Sequence, residues 1–160
     1  MADAYLDTSA LVKRYVQEPG TIGVDIILDK ANLGGLIIAT SLWNLGEAIG
    51  VIDHRRRRRL LTEHEFNAVV RNLTNEVVGL ARAGALEVYP VRASLLTDAW
   101  SLILNQHLYQ ADALQIATCI KSKSKVLITS DELLRRASED MGLKALDPHK
   151  QERDISDLFE

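Results

Sequence analysis

Cysteine, proline and aromatic residues are all scarce in this chain, and each scarcity removes a class of protein. A single cysteine, Cys119, excludes an internal disulfide framework, so folding must rest on burial alone. Lying among Ile116, Ala117 and Ile120 in a helical pattern, it reads as a small buried hydrophobe and not as a nucleophile or ligand. A reducing, cytoplasmic compartment suits such a chain. The three prolines and nine glycines are scattered, which leaves no linker, repeat or low-complexity tract to divide the sequence. No apolar run reaches the about 18 residues needed to span a membrane. Met1-Ala2-Asp3-Ala4-Tyr5 also lacks the basic region and apolar core of a secretion signal, so a soluble, unexported protein without membrane contact is expected. Excess positive charge is missing too. A net charge of -3 argues against a protein that coats nucleic acid through its overall field. An enzyme that meets a strand only briefly needs no more than a local basic path.

What is present is a regular alternation of short β-rich runs and longer helical stretches, and 160 residues suit one domain with a single sizeable core. Strands are predicted at Ala4–Leu6, Leu36–Ala39, Leu86–Tyr89, Lys125–Thr129 and Lys144–Leu146. Helices are predicted at Ala10–Val16, Ile22–Lys30, Leu42–Arg58, Glu63–Ala83, Ser94–Gln106, Asp112–Ser122 and Glu132–Met141. This is the sequence form of an α/β domain with a mainly parallel sheet. Thr62 with Glu65 makes a capping box, and Gly84 and Gly142 stop the helices before them. The end of the chain, Gln151 to Glu160, changes in character to an acidic tail. There Ile155, Leu158 and Phe159 are spaced for a helix that docks on the body or on a partner, the alternative being a frayed terminus.

Four acids occupy comparable places in this frame: Asp7, Glu47, Asp112 and Asp131. Ligands of a parallel sheet bind at the carboxyl ends of its strands. Asp7 and Asp131 each follow a strand, while Glu47 and Asp112 lie in early turns of helices that can reach the same mouth. An acid in the first turn of a helix is favourable by about 0.3 to 1 kcal/mol without any function. Four such acids converging without matching cations go beyond that explanation and point to a site for hard divalent metal ions. No histidine has a spacing that indicates zinc, and no Ser/His/Asp arrangement is visible.

The segments that carry these acids resemble the PIN-domain family, in particular the VapC-like toxins of prokaryotic type II toxin–antitoxin modules. Leu6-Asp7-Thr8-Ser9-Ala10-Leu11-Val12-Lys13 is similar to the family's opening motif, and Asn44-Leu45-Gly46-Glu47-Ala48-Ile49 to its second acidic motif. Ala111-Asp112-Ala113-Leu114-Gln115-Ile116-Ala117 resembles the third, and Thr129-Ser130-Asp131-Glu132-Leu133-Leu134 the fourth. The resemblance implies a three-layer α/β/α fold around a five-stranded, mainly parallel sheet, with residues 1–150 forming a PIN-like nuclease domain and residues 151–160 the acidic tail. It further implies that Asp7, Glu47, Asp112 and Asp131 are catalytic and hold Mg²⁺ or Mn²⁺, with Thr8, Ser9, Thr129 and Ser130 in support. Gly46 and Gln115 depart from what the family often carries, and neither falls on the four acids.

The expected activity is hydrolysis of RNA phosphodiester bonds, the metal neutralising charge and activating a water, with a 5′-phosphate and a 3′-hydroxyl as the implied products. A cognate antitoxin is the implied partner. Alternatives are a PIN-domain nuclease of RNA processing without an antitoxin, or a non-catalytic module that kept the fold. Five consecutive arginines, Arg55, Arg56, Arg57, Arg58 and Arg59, sweep more than a full helical turn and must project. They read either as a solvated helix end or as a contact for RNA or an acidic partner segment, and their distance along the helix from Glu47 favours the partner. Lys13 and Arg14, just beyond Asp7, are expected nearer the scissile strand. Apolar residues on more than one face of Ile22–Lys30 and Leu42–Ile52 predict a homodimer.

Overall fold

In the computed structural model, which describes residues 1–159, five parallel strands form one sheet in the order β3-β2-β1-β4-β5. The strands are β1 (Ala4–Leu6), β2 (Ile38–Ser41), β3 (Leu86–Tyr89), β4 (Val126–Ile128) and β5 (Ala145–Leu146). The helices are α1 (Thr8–Lys13), α2 (Thr21–Asn32), α3 (Leu42–Arg57), α4 (Glu63–Arg82), α5 (Ala93–Gln106), α6 (Gln110–Ser122), α7 (Glu132–Asp140) and α8 (Glu152–Phe159).

The two-residue period of the strands sorts their side chains into two cores. Ala4, Leu6, Ile38, Leu86, Val126 and Ile128 face one side, where Leu11, Ile27, Ile52, Leu73 and Ile155 of α1, α2, α3, α4 and α8 cover them. Tyr5, Ala39, Leu127 and Ala145 face the other, under Leu102, Ile116 and Leu134 of α5, α6 and α7. Three layers result. Because β1 lies between β2 and β4, the order of the sheet reverses there, and a crevice opens at the carboxyl ends of β1 and β4.

Several element ends differ from expectation, each for a local reason. Strand β2 runs two residues later than the apolar run Leu36–Ala39 indicates. Thr40 and Ser41 continue the ladder with β3, and the Ser41 hydroxyl then accepts from Asn44 N to start α3. Helix α1 starts at Thr8 because the Asp7 carboxylate caps it at Ala10 N. The tail is ordered as α8 from Glu152 to Phe159, with Ile155 and Phe159 buried against the first core and Leu158 left exposed. The expected tail extends to Glu160, which lies outside the described residues. The Thr62/Glu65 capping box forms as expected. Gly84 and Gly142 take the left-handed backbone that ends α4 and α7. Cys119 is buried, and burial pushes its thiol up to about 12. Among the described residues no helix is long and apolar enough to cross a membrane.

Candidate active site

Asp7 is the most buried of the four acids and the best supported. It sits where β1 ends, with 2% of its surface exposed. Its Oδ1 accepts from Ala10 N at 2.7 Å and its Oδ2 from the Thr129 hydroxyl at 2.6 Å, while the Ser9 hydroxyl reaches both oxygens at 2.8 and 2.9 Å. Burial nevertheless outweighs these donors. Desolvation pushes the carboxyl up to about 6, with repulsion from Asp131 adding to the rise.

The supporting hydroxyls also join β1 to the loop after β4. Thr129 is fully buried, and its hydroxyl accepts from Asp131 N at 3.0 Å while donating to Asp7. The Ser9 hydroxyl accepts from Ser130 N at 2.8 Å. Ser130 Oγ is buried with no hydrogen-bond partner among the described residues. Asp131 caps α7, its Oδ1 accepting from Leu133 N and Leu134 N at 2.8 and 3.0 Å. Glu47 projects from α3 and accepts the Thr8 hydroxyl at 2.6 Å. Asp112, half-buried in the first turn of α6, is pushed up by desolvation and by repulsion from Asp131 and Glu47.

Asp7, Glu47, Asp112 and Asp131 all line one cleft of about 690 Å³. None of them makes an ion pair among the described residues, and the two arginines of the same cleft are engaged by other acids, Arg55 by Glu18 and Arg57 by Asp53. An all-oxygen donor set of this charge fits a hard divalent ion. The oxygens are not drawn to a single point, for among the described residues no three His, Cys, Asp or Glu side chains stand close enough to share a metal ion. Asp7, Glu47 and Asp131 are each held by their own local donors, and the charges of Asp131 and Glu47 act against ionisation of Asp112.

The basic residues are arranged differently from the expectation. The arginine run does not lie away from the acids, because Glu47, Gly50, Val51, His54 and Arg55 follow one face of α3 along the cleft wall and Arg57 joins them. Arg55 is about 12 Å along the axis from Glu47, yet on the same side. It pairs with Glu18, another residue of the wall. Arg56 turns away to Asp53 and Glu63 and lies over the Phe66 ring, 4.4 Å from its centre. Arg57 pairs with Asp53 at 3.0 Å, and Arg58 and Arg59 are exposed at the helix end.

Lys13 and Arg14, expected near a scissile strand, do not open onto the cleft. Lys13 is buried against Glu18 at 2.9 Å. Arg14 is held by Asp25, Asp29 and Glu76 at 2.7 to 2.9 Å, tying α1 to α2 and α4. The sequence gives no role to Asn44, a buried polar residue one turn before Glu47, and marks Gln115 only as a departure from the family's pattern; Gln115 lines the cleft one turn after Asp112.

The profile of the PIN domain family matches residues 4–140. No curated protein matches the chain. Among solved structures, PAE2754 from Pyrobaculum aerophilum superposes with a TM-score of 0.66 at 16% identity, over 97% of this chain and 96% of that one. VapC20 from Mycobacterium tuberculosis, a sarcin-ricin loop cleaving toxin, gives 0.60 at 15% identity over 84% of this chain and 94% of its own. FitAcB from Neisseria gonorrhoeae gives 0.63 at 17% identity over 91% and 97%.

Proposed function

The chain belongs to the PIN domain family, and on that premise we propose that it is a divalent-metal-dependent endoribonuclease, the toxin of a type II toxin–antitoxin module. One observation carries the reading. Four carboxylates line a single cleft at the switch point of a parallel sheet, none of them in an ion pair among the described residues, and two of them resist ionisation. A fold held together by burial gains nothing from such a group, since each unpaired charge taken from water is costly. A site that waits for a cation needs it.

In this reading Asp7, Glu47, Asp112 and Asp131 hold Mg²⁺ or Mn²⁺. Bound there, the ion supplies Lewis acidity, activating a water and neutralising charge on the phosphodiester. The chain's own residues set the geometry. Thr8 fixes Glu47, while Ser9 and Thr129 orient Asp7 and tie it to the Asp131 loop. Arg55 and Arg57 offer the RNA backbone positive charge on the wall opposite no basic residue of α1, so the strand is read as entering along α3.

The toxin assignment draws support from the fold shared with VapC20 and the Fit proteins. A partner antitoxin would be expected to engage the same basic wall, and a small reading frame immediately upstream of the gene would support it. A homodimer is proposed on exposed apolar side chains of two helices, Leu42, Trp43 and Ile49 on α3 and Trp100 and Leu104 on α5. The experiment that tests the function is cleavage of RNA by purified protein with Mg²⁺ or Mn²⁺, after excess EDTA, and after the metal is restored. Loss and recovery are expected. Full-rate cleavage in EDTA would sink the metal mechanism.

A further inference from the structure

Beneath the cleft lies a buried polar cluster that the roles above do not use. Asn44 is completely buried on α3. Its Nδ2 lies 3.1 Å from the Leu6 carbonyl oxygen, 3.1 Å from the Tyr5 hydroxyl and 3.4 Å from Gln115 Oε1. Its Oδ1 accepts the Ser41 hydroxyl at 2.8 Å, and its backbone N–H donates to the same hydroxyl oxygen at 3.0 Å. One side chain thus touches β1, the start of α3 and α6.

The location of these contacts gives them meaning. The β1–β2 register is Ala4 with Ile38 and Tyr5 with Ala39, after which the strands part to open the crevice. The Leu6 carbonyl, immediately before Asp7, accepts from the Thr40 hydroxyl at 3.0 Å as well as from Asn44. Side chains of β2 and α3 therefore hold the end of β1 where the two strands separate. Asn44 is three residues before Glu47, and Gln115 three residues after Asp112, so on each helix the cluster residue and the acid share a face. The Asn44–Gln115 contact spans α3 and α6 below the gap in which Glu47 and Asp112 repel each other.

We propose that Asn44 is a positioning residue for the acidic cleft, its amide clamping the end of β1 to α3 and α6 and so setting how far apart Asp7, Glu47 and Asp112 stand. Asparagine suits the task because one amide donates and accepts at once. Aspartate has no N–H to give the Leu6 carbonyl, and leucine has no polar atom. The inference rests on the metal-holding reading of the acids. It adds that their spacing, and with it the affinity for the ion, is set from below by a residue that touches neither ion nor RNA.

The test measures Mn²⁺ uptake without turnover, from loss of the free-ion electron paramagnetic resonance signal, beside RNA cleavage. Asn44→Ala should bind Mn²⁺ about tenfold to a hundredfold more weakly and lose kcat to a similar extent, as changes behind metal ligands commonly do, with KM for RNA little changed. Gln115→Met cuts only the α6 arm, should shift both readouts in the same direction by less, and decides the matter if Asn44→Ala does not fold. Ile155→Ala, destabilised far from the cleft, should bind Mn²⁺ like the wild type and so separates positioning from general loosening. A folded Asn44→Ala with wild-type Mn²⁺ affinity and kcat overturns the proposal, as does unchanged Gln115→Met if the first variant is unfolded. Failure of the underlying reading looks different: the wild type itself takes up no Mn²⁺, or Asp7→Asn binds it equally well, and both ideas then fall.

Discussion

The Thr8 hydroxyl donates to Glu47 Oε2 at 2.6 Å across 39 positions of sequence, so the residue following the first acid of the cleft holds the second. The bond links α1 to α3, and the Asp7 carboxylate caps α1 itself. Local helix chemistry and site assembly therefore depend on the same few atoms.

Thr8→Val keeps the shape of the side chain and removes the donor. The prediction is a fall in cleavage rate on the order of tenfold, with most activity retained in Thr8→Ser, because a freed Glu47 no longer waits in position. Steady-state cleavage of a defined RNA measures it. A valine variant with full activity would show that Glu47 needs no such support.

Burial of Asp7 makes the metal-free protein's stability depend on pH in a definite direction. Its carboxyl rises from 3.8 to about 6 on folding. Across that window the folded protein keeps a proton that the unfolded chain has released, so stability falls as pH rises, and above it the full cost is present. That cost is on the order of 2 to 3 kcal/mol. Asp7→Asn carries no such charge: its oxygen can still accept from Ala10 N and the Ser9 hydroxyl, and its NH2 can donate to the Thr129 hydroxyl, which in the wild type donates to Asp7. In EDTA the variant should melt above the wild type at pH 7, with the gap closing near pH 4. Comparing the two proteins cancels other carboxylates, such as Glu132, which hydrogen bonds from Arg135 and Arg136 pull down to about 2. A wild type that melts at or above the variant at pH 7 would contradict the assignment.

The arginine run divides by position. Arg55→Gln with Arg57→Gln should weaken RNA binding and flatten its salt dependence by about one unit of slope per lost phosphate contact. Arg58→Gln with Arg59→Gln, at the exposed helix end, should leave both nearly unchanged. Binding titrations on uncleaved RNA at several salt concentrations separate the pairs. Equal effects from the two would mean that the charge acts through its total and not through the cleft wall.

Self-association is predicted from the apolar surface of α3 and α5. Light scattering at micromolar concentration should return twice the chain mass, and Trp100→Glu should shift it towards the monomer. A wild type that is monomeric throughout the range rejects the dimer.

The strand positions, the acids at strand ends and the capping residues are legible because each depends on neighbours in sequence. Asp7 and Asp131 could be placed from the apolar run before them alone. What stayed hidden depends on facing. The arginine run was judged by its distance along α3, although Arg55 lies eight residues from Glu47, which returns it to nearly the same side of the helix. Lys13 and Arg14 read as cations open to a scissile strand because their partners, Glu18, Asp25, Asp29 and Glu76, are not evident until the chain is folded. Asn44 read as a neutral residue of an acidic motif. Its burial follows from the parting of β1 and β2, which no local pattern encodes.

The most direct test of the account is the single-turnover cleavage rate of one RNA by wild type, Asp7→Asn and Asp112→Asn, purified identically and assayed in saturating Mg²⁺. The prediction is a loss on the order of a hundredfold or more in each variant, with circular dichroism unchanged. Wild-type rates in both folded variants would show that the cleft's carboxylates do not perform the chemistry.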